Sequence, residues 1–312
     1  MRKRVAVLAG QPEEYLQALF IKGLSETLLE KDFDVCVFAM YQKFQNSPDR
    51  AKGESSIFDL VDYKSFDAIC IMGDSIQTPG VLENLIKNIN EKFTGTVVIA
   101  EKDVPGFTHV LQDNYSPEKK IIEHMIEHGY KDIAFLTGKS WHPHSKIRLK
   151  AFLDTMAEHG LEVGENRVFY GDFWYSSGEL TAKRLIDSGK LPDAVACAND
   201  CMAIGLAKAL TNAGIRIPED VAIAGYDCSE EGRRAPVSIT SVHMPQEEFG
   251  KHAADAILAL MEGKEIPEYK PDAKLFIGKS CGCPDDKLSL VVDVRSSWET
   301  EISGGSVKSI FN

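Results

Sequence analysis

Two apolar runs end in polar pairs that could hold a small solute. Residues 194–198 run directly into Asn199 and Asp200, and residues 221–225 lead through Tyr226 into Asp227. An amide that both donates and accepts, beside a carboxylate that accepts from two hydroxyls, suits recognition of a polyhydroxylated ligand rather than bond cleavage. Asp227 also opens Asp-Cys-Ser-Glu-Glu-Gly, a good turn in its own right. Asp200 reads as the N-cap of the helix that follows. Near the N-terminus, Gln11 and Tyr15 in Gly10-Gln-Pro-Glu-Glu-Tyr15 occupy a similar place, at the end of a first apolar run and above a helix start. Gly10 does not begin a GxGxxG, so no dinucleotide cofactor is expected.

Other reactive side chains are less suggestive. Trp141, His142 and His144 have no carboxylate or cysteine partner at metal-ligand spacing, and read as the rim of a cleft. Cys281-Gly-Cys283 is not the CxxC of zinc or redox sites, and reads as a structural strand end. No metal site is expected. The chain has no nucleophile elbow (GxSxG) and no P-loop, so it is not expected to be an enzyme.

These positions depend on an alternation of strands and helices. Strand-like runs fall at residues 5–9, 34–38, 67–71, 96–100, 132–136, 167–170, 194–198 and 221–225. Leu16, Leu19, Phe20, Gly23, Leu24, Thr27 and Leu28 mark one face of a first helix at i, i+3, i+4, i+7 spacing. Further helices are expected at 81–89, 117–128, 146–159, 178–187, 202–213 and 246–261. The class is α/β, with parallel sheets flanked by helices, and polar residues at strand ends lie where such sheets bind ligands.

The order Asn199-Asp-x-x-Ala-x-Gly205, Gly214-x-x-Ile-Pro-Glu-Asp220 and Gly225-Tyr-Asp227 resembles the effector-binding domain of the LacI/GalR repressors, a type I periplasmic-binding-protein fold. The resemblance covers about residues 4–283. It implies two Rossmann-like lobes joined by three crossovers, with a ligand in the cleft between them. The first lobe would hold 1–129 and 241–266, and the second 130–240 and 267–283, with 284–312 as a C-terminal connector.

It also implies site residues. In Gly171-Asp-Phe-Trp-Tyr-Ser-Ser-Gly178, Phe173 falls where the family places a ring against its ligand, and Trp174 beside it could do the same. His144-Ser-Lys-Ile-Arg-Leu-Lys-Ala-Phe152 matches a helix start whose arginine, here Arg148, contacts the effector; its rigid fork of donors suits vicinal hydroxyls, a carboxylate or a purine edge. Ala151 replaces the family's usual glycine. The turn containing Gln112, Asp113 and Asn114 resembles the polar loop between lobes, which adds Asp113 to the candidate contacts.

The chain has 312 residues, 44% hydrophobic and 26% charged, with a net charge of −12. Such a charge repels phosphate backbones, and the first strand begins where the repressors carry a helix-turn-helix, so direct nucleic-acid binding is not expected. No run reaches the length of a membrane span, and the apolar run at 5–9 is too short for a secretory h-region. Cys36, Cys70, Cys197 and Cys201 lie in apolar or helix-opening contexts, as in reduced, cytoplasmic proteins. The Ser-Cys-Gly-Cys ending resembles sensors placed before GGDEF-type or AraC-type output domains. The expectation is a cytoplasmic, homodimeric sensor for a sugar-like solute, linked to a transcriptional or signalling output. A transport-type solute receptor and an α/β enzyme are the alternatives.

Overall fold

The computed structural model describes residues 2–41 and 47–289. Along the chain run β1 (Lys3–Gly10), α1 (Tyr15–Glu30), β2 (Phe33–Met40), α2 (Pro48–Ser55), β3 (Ala68–Met72), α3 (Val81–Lys92), β4 (Thr96–Ala100) and β5 (Thr108–Val110). Then follow α4 (Tyr115–Glu127), β6 (Ile133–Thr137), α5 (Pro143–Glu158), β7 (Val168–Tyr170), α6 (Tyr175–Ser188), β8 (Ala194–Cys197) and α7 (Asp200–Asn212). The series closes with β9 (Ala222–Tyr226), α8 (Glu230–Arg234), β10 (Thr240–His243), α9 (Gln246–Met261) and β11 (Lys274–Phe276). The short α2, β5, α8 and β10 are absent from the sequence reading.

The chain forms two compact units. The first comprises Met1–Asp113 and Met244–Ala273, and the second Asn114–His243 with the chain from Lys274 onward. In the first, the sheet order is β2-β1-β3-β4-β5, all parallel. Strand β1 alternates between two cores: Val5, Val7 and Ala9 face Phe20, Leu24 and Phe249, while Ala6 and Leu8 face Ile69, Leu85 and Ile89. An unbroken apolar run is what a strand covered on both faces requires.

The second sheet has the order β11-β10-β9-β8-β6-β7, parallel except for the β10–β11 edge. Both sheets are doubly wound. In the second, the strand order reverses at β6 and β8, the kind of place where α/β proteins bind ligands. Each unit also contains one helix pair in close contact through glycines. A Cβ on Gly23 would lie 2.0 Å from the Glu247 carbonyl oxygen between α1 and α9, and one on Gly178 would lie 2.1 Å from the Met202 carbonyl oxygen between α6 and α7.

Helix α4 packs differently from expectation. It belongs to the second unit: Ile121, Ile122 and Met125 complete that core, and Tyr115 Oη donates to Asp154 Oδ2 of α5 at 2.7 Å. The chain after Cys283 also stays with this unit. Ser289 N donates to the Ile277 carbonyl, and Ile277 N donates to Ser289 Oγ, each at 2.9 Å. Pro284 to Ser289 is therefore packed chain rather than a separate connector; the remainder of that segment, 290–312, lies outside the described residues.

Candidate functional site

Strands β6, β8 and β9 end side by side in the second unit, and the loops leaving them carry most of the candidate residues. Proline at the first turn of α5 starts that helix, and Arg148 follows on its buried face. The guanidinium is held on three sides. Nε and Nη2 donate to Asn114 Oδ1 at 3.0 and 2.7 Å, and Nη1 donates to the Ala198 carbonyl at 2.5 Å. Its plane lies 3.5 Å from the centroid of the buried Tyr226 ring. The arginine is thus fixed by the ring beneath it and by hydrogen bonds from three of the five N–H groups of its fork.

Asp227 stands at the end of β9 with φ +100°, in the left-handed region that costs an ordinary residue energy. Burial pushes its carboxyl up to about 6, opposed by the positive charge of Arg148 and by His144. Asp200 is 1% exposed, and burial, reinforced by the charge of Asp227, pushes it up to about 7. It is not the helix cap. Asn199 occupies that position, its Oδ1 accepting from Met202 N at 3.0 Å, and its Nδ2 donates to the Phe173 carbonyl at 2.9 Å. Asp200 instead reaches across to β9 and β10, accepting from Ser229 N at 2.6 Å and Ser241 Oγ at 2.7 Å. A Cβ on Gly225 would lie 2.2 Å from Asp200 Oδ1, so the glycine of the Gly-Tyr-Asp strand end makes room for this carboxylate.

Phe173, at φ +72°, lays its ring on the Gly138 backbone and meets His142 edge-on at 5.3 Å between centroids. Trp174 is the more exposed of the two rings. Asp172 anchors this loop, accepting from Trp174 N at 3.0 Å and from the Ser177 hydroxyl. His142 is buried and also meets His144, so this aromatic cluster is packed structure under the loop rather than an open rim; Trp141 remains exposed.

One residue of this neighbourhood has no signature in the sequence. Glu118, in the first turn of α4, is fully buried, and neither carboxylate oxygen has a hydrogen-bond partner among the described residues. Burial pushes it up to about 8, opposed by Arg148 and reinforced by Asp227. An acidic residue in a helix's first turn is ordinarily a solvated dipole partner, so nothing local marks it. Asn114 and Tyr226 were likewise legible only as a turn residue and a strand residue.

The remaining candidates lie in the first unit. Gln11, at φ +52°, follows β1 and donates its N–H to the Met40 carbonyl at 2.8 Å. Tyr15 opens α1 and is exposed, as is Asp113. Gln112 exchanges amide hydrogen bonds with Gln246 at 3.1 and 3.2 Å. Cys281 ends a 3-10 turn, Lys279–Cys281, rather than a strand, and with Cys283 it lies beside His124 and His128. The expectation of a structural strand end fails there.

The fold and the strand-end site define a solute-binding α/β domain, and comparison with known proteins agrees. A profile described as periplasmic binding protein-like domain matches residues 122–281, about half the chain. The chain belongs to this family, as an effector-binding domain of the LacI type. It is 27% identical over 274 residues to the HTH-type transcriptional repressor MelR of Bacillus subtilis, covering 76% of this chain and 77% of the relative. Against the HTH-type transcriptional repressor PurR of Vibrio cholerae it is 34% identical over 180 residues, 53% of each chain. The chain thus spans about half the length of the PurR relatives it matches. A solved complex of the transcriptional regulator CelR with cellobiose superposes with a TM-score of 0.72 at 24% identity, over 89% of this chain and 85% of that one. CcpA of Lactococcus lactis does so at 0.72 and 21%, over 90% and 99%. These similar proteins are named as regulators and repressors, not enzymes. Among the described residues no helix is long and apolar enough to cross a membrane.

Proposed function

We propose that this chain senses a small hydroxylated solute, a sugar or sugar derivative, at the strand ends of its second unit. The observation that carries the reading is Arg148, locked against Tyr226 and Asn114 beside the half-buried Asp227. A fixed donor fork next to a carboxylate acceptor grips vicinal hydroxyls with little further loss of freedom. Asn199 supports the loop through the Phe173 carbonyl, and Phe173 or Trp174 supplies the ring that a sugar face stacks on. Gln11, Tyr15 and Asp113 are the proposed contributions of the first unit. Occupancy shifts the equilibrium between conformations of the two units by as much as the ligand's affinity differs between them. A homodimer in the cytoplasm carries that shift to a transcriptional or signalling output. The bound cellobiose of the structurally similar CelR supports the sugar class.

Thermal denaturation of the full chain against sugars, sugar phosphates and purines tests the proposal. A ligand at about a hundred times its Kd stabilises the folded chain by about 2.7 kcal/mol. A stabilising sugar whose effect falls to about 0.4–1.4 kcal/mol in Asp227→Ala at the same concentration is the expected result; that truncation removes a hydrogen bond to a charged group and costs about 1.5–3 kcal/mol of binding, on the order of ten- to a hundredfold in Kd. Stabilisation by purines alone, or by a sugar with equal strength in wild type and Asp227→Ala, would refute it.

A further inference from the structure

We infer that His124, His128, Cys281 and Cys283 form a tetrahedral zinc site that fastens helix α4 to the chain leaving β11. The four ligand atoms lie within 4.8 Å of one another. His124 Nε2 is 3.4 Å from Cys281 Sγ and 3.7 Å from Cys283 Sγ, and His128 Nε2 is 3.2 Å from Cys283 Sγ. Zinc bonds of about 2.3 Å to sulfur and about 2.0–2.1 Å to nitrogen, at tetrahedral angles, require sulfur–nitrogen separations of about 3.6 Å. These three distances bracket that value, and the four atoms, all within 4.8 Å of one another, would draw in around the ion.

Local structure builds this arrangement from both sides. His124 lies in the last turn of α4, and His128 is the C-cap, whose φ −71° and ψ −8° continue the helical path. The i, i+4 spacing therefore puts both imidazoles on one face, with ring centroids 4.8 Å apart. On the other side, Gly282 takes φ +85°, which turns the chain sharply enough for Cys281 and Cys283 to present both sulfurs together. A Cβ at Gly282 would sit 3.0 Å from Tyr130 Oη. That hydroxyl donates to the Cys281 carbonyl at 3.0 Å, and the Tyr130 ring stacks on His128 at 5.8 Å. Tyr130 thereby positions one ligand from each pair, as outer-shell groups of metal sites do.

The donor set selects the metal and its role. Two thiols and two imidazoles, with no carboxylate, favour zinc over magnesium or calcium. Four protein ligands close the coordination sphere, so the ion is structural and offers no position to a substrate. The pairs are separated by about 155 residues, which is why the Cys-Gly-Cys spacing says nothing of zinc by itself. The consequence is mechanical. The helix carrying Glu118 at one end would be tied at the other to the turn of chain that follows β11.

Cobalt substitution tests the inference. The full chain, stripped by chelator and kept reduced, is titrated with Co2+ in the absence of oxygen. One equivalent should develop thiolate-to-cobalt charge transfer together with intense tetrahedral d–d bands, and Zn2+ should abolish both. Cys281→Ser/Cys283→Ser and His124→Ala/His128→Ala should lose them, while Cys36→Ser keeps them. Tyr130→Phe should weaken zinc binding roughly tenfold without changing the spectrum. If a ligand variant fails to fold by circular dichroism, alkylation of the wild type decides: Zn2+ should shield Cys281 and Cys283 and leave Cys36 as reactive as before. No cobalt bands, bands that persist in Cys281→Ser/Cys283→Ser, or unchanged alkylation of both thiols would overturn the site.

Discussion

Replacing Glu118 with glutamine should make the protein more stable at neutral and alkaline pH and flatten its pH dependence. The side chain is fully buried, and its oxygens have no hydrogen-bond partner among the described residues, so the folded chain holds the neutral acid. Its carboxyl is raised from an ordinary 4.5 to about 8. A raised folded-state value means that the proton is bound more tightly when folded. The stabilisation is fully present below about pH 4.5 and is lost as pH rises through about 8. At 1.36 kcal/mol per pH unit, the full span is on the order of 5 kcal/mol, of which on the order of 3 kcal/mol falls between about pH 5 and pH 8. Glutamine has the same shape and no proton to lose. Urea denaturation at several pH values, followed by tryptophan fluorescence, compares the two proteins. Asp200 and Asp227 add slopes of the same sign in both, so the difference between wild type and Glu118→Gln reports Glu118 together with its charge coupling to Asp227. Equal slopes in wild type and variant would show that Glu118 ionises freely, and would refute the buried neutral acid.

Three further outcomes follow from the geometry. Arg148→Ala removes the donors that satisfy Asn114 Oδ1 and the Ala198 carbonyl, and should cost about 3 kcal/mol of stability by the same denaturation as well as ligand affinity by calorimetry. Gly178→Ala places a methyl against the Met202 carbonyl and should destabilise by about 1–3 kcal/mol, readable as a lowered Tm, because two backbones meet there. Ending the chain at Cys283 removes both bonds between Ile277 and Ser289 and should lower stability by about 1–2 kcal/mol, where a separate connector would cost nothing.

The fold was legible because its signals are local. Apolar runs such as residues 5–9 and 194–198, alternating with helical periods, specify covered parallel strands, and the Asn199-Asp200 and Gly-Tyr-Asp ends mark the face proposed for the ligand. What the motif residues do was less accessible. Asn199 and Asp200 are both plausible caps by residue type; only the path of the chain that brings Ser229 and Ser241 to Asp200 shows that Asp200 binds the start of α8 and β10 while Asn199 caps the helix. The roles of Glu118, Asn114 and the His124–His128 pair were hidden for one reason: the groups they meet lie tens to more than a hundred residues away, and meet them only once α4 is docked on the second unit. Assigning that helix to the first lobe hid all of them together.

The contrast between the two sheets gives this placement its meaning. Both are doubly wound, yet the first secures the ends of β1 and β3 with neutral bonds: Ser75 Oγ donates to the Met72 carbonyl at 2.7 Å and accepts from Gly10 N at 2.9 Å. The second packs Glu118, Asp200, Asp227 and Arg148 into a desolvated neighbourhood, which raises all three carboxyls. Buried charges of this kind rarely improve stability over apolar packing, and local rules are broken most often where a site requires it. Stability and recognition therefore separate by residue. Glu118 weakens the protein at neutral pH, while Asp227, half-buried at a strained strand end, is the carboxylate proposed to accept a ligand's hydroxyls. A ligand that replaces lost solvation with its own hydroxyls stabilises the ionised form of Asp227 most, so its affinity should rise as pH passes through about 6, the value at which that group gives up its proton.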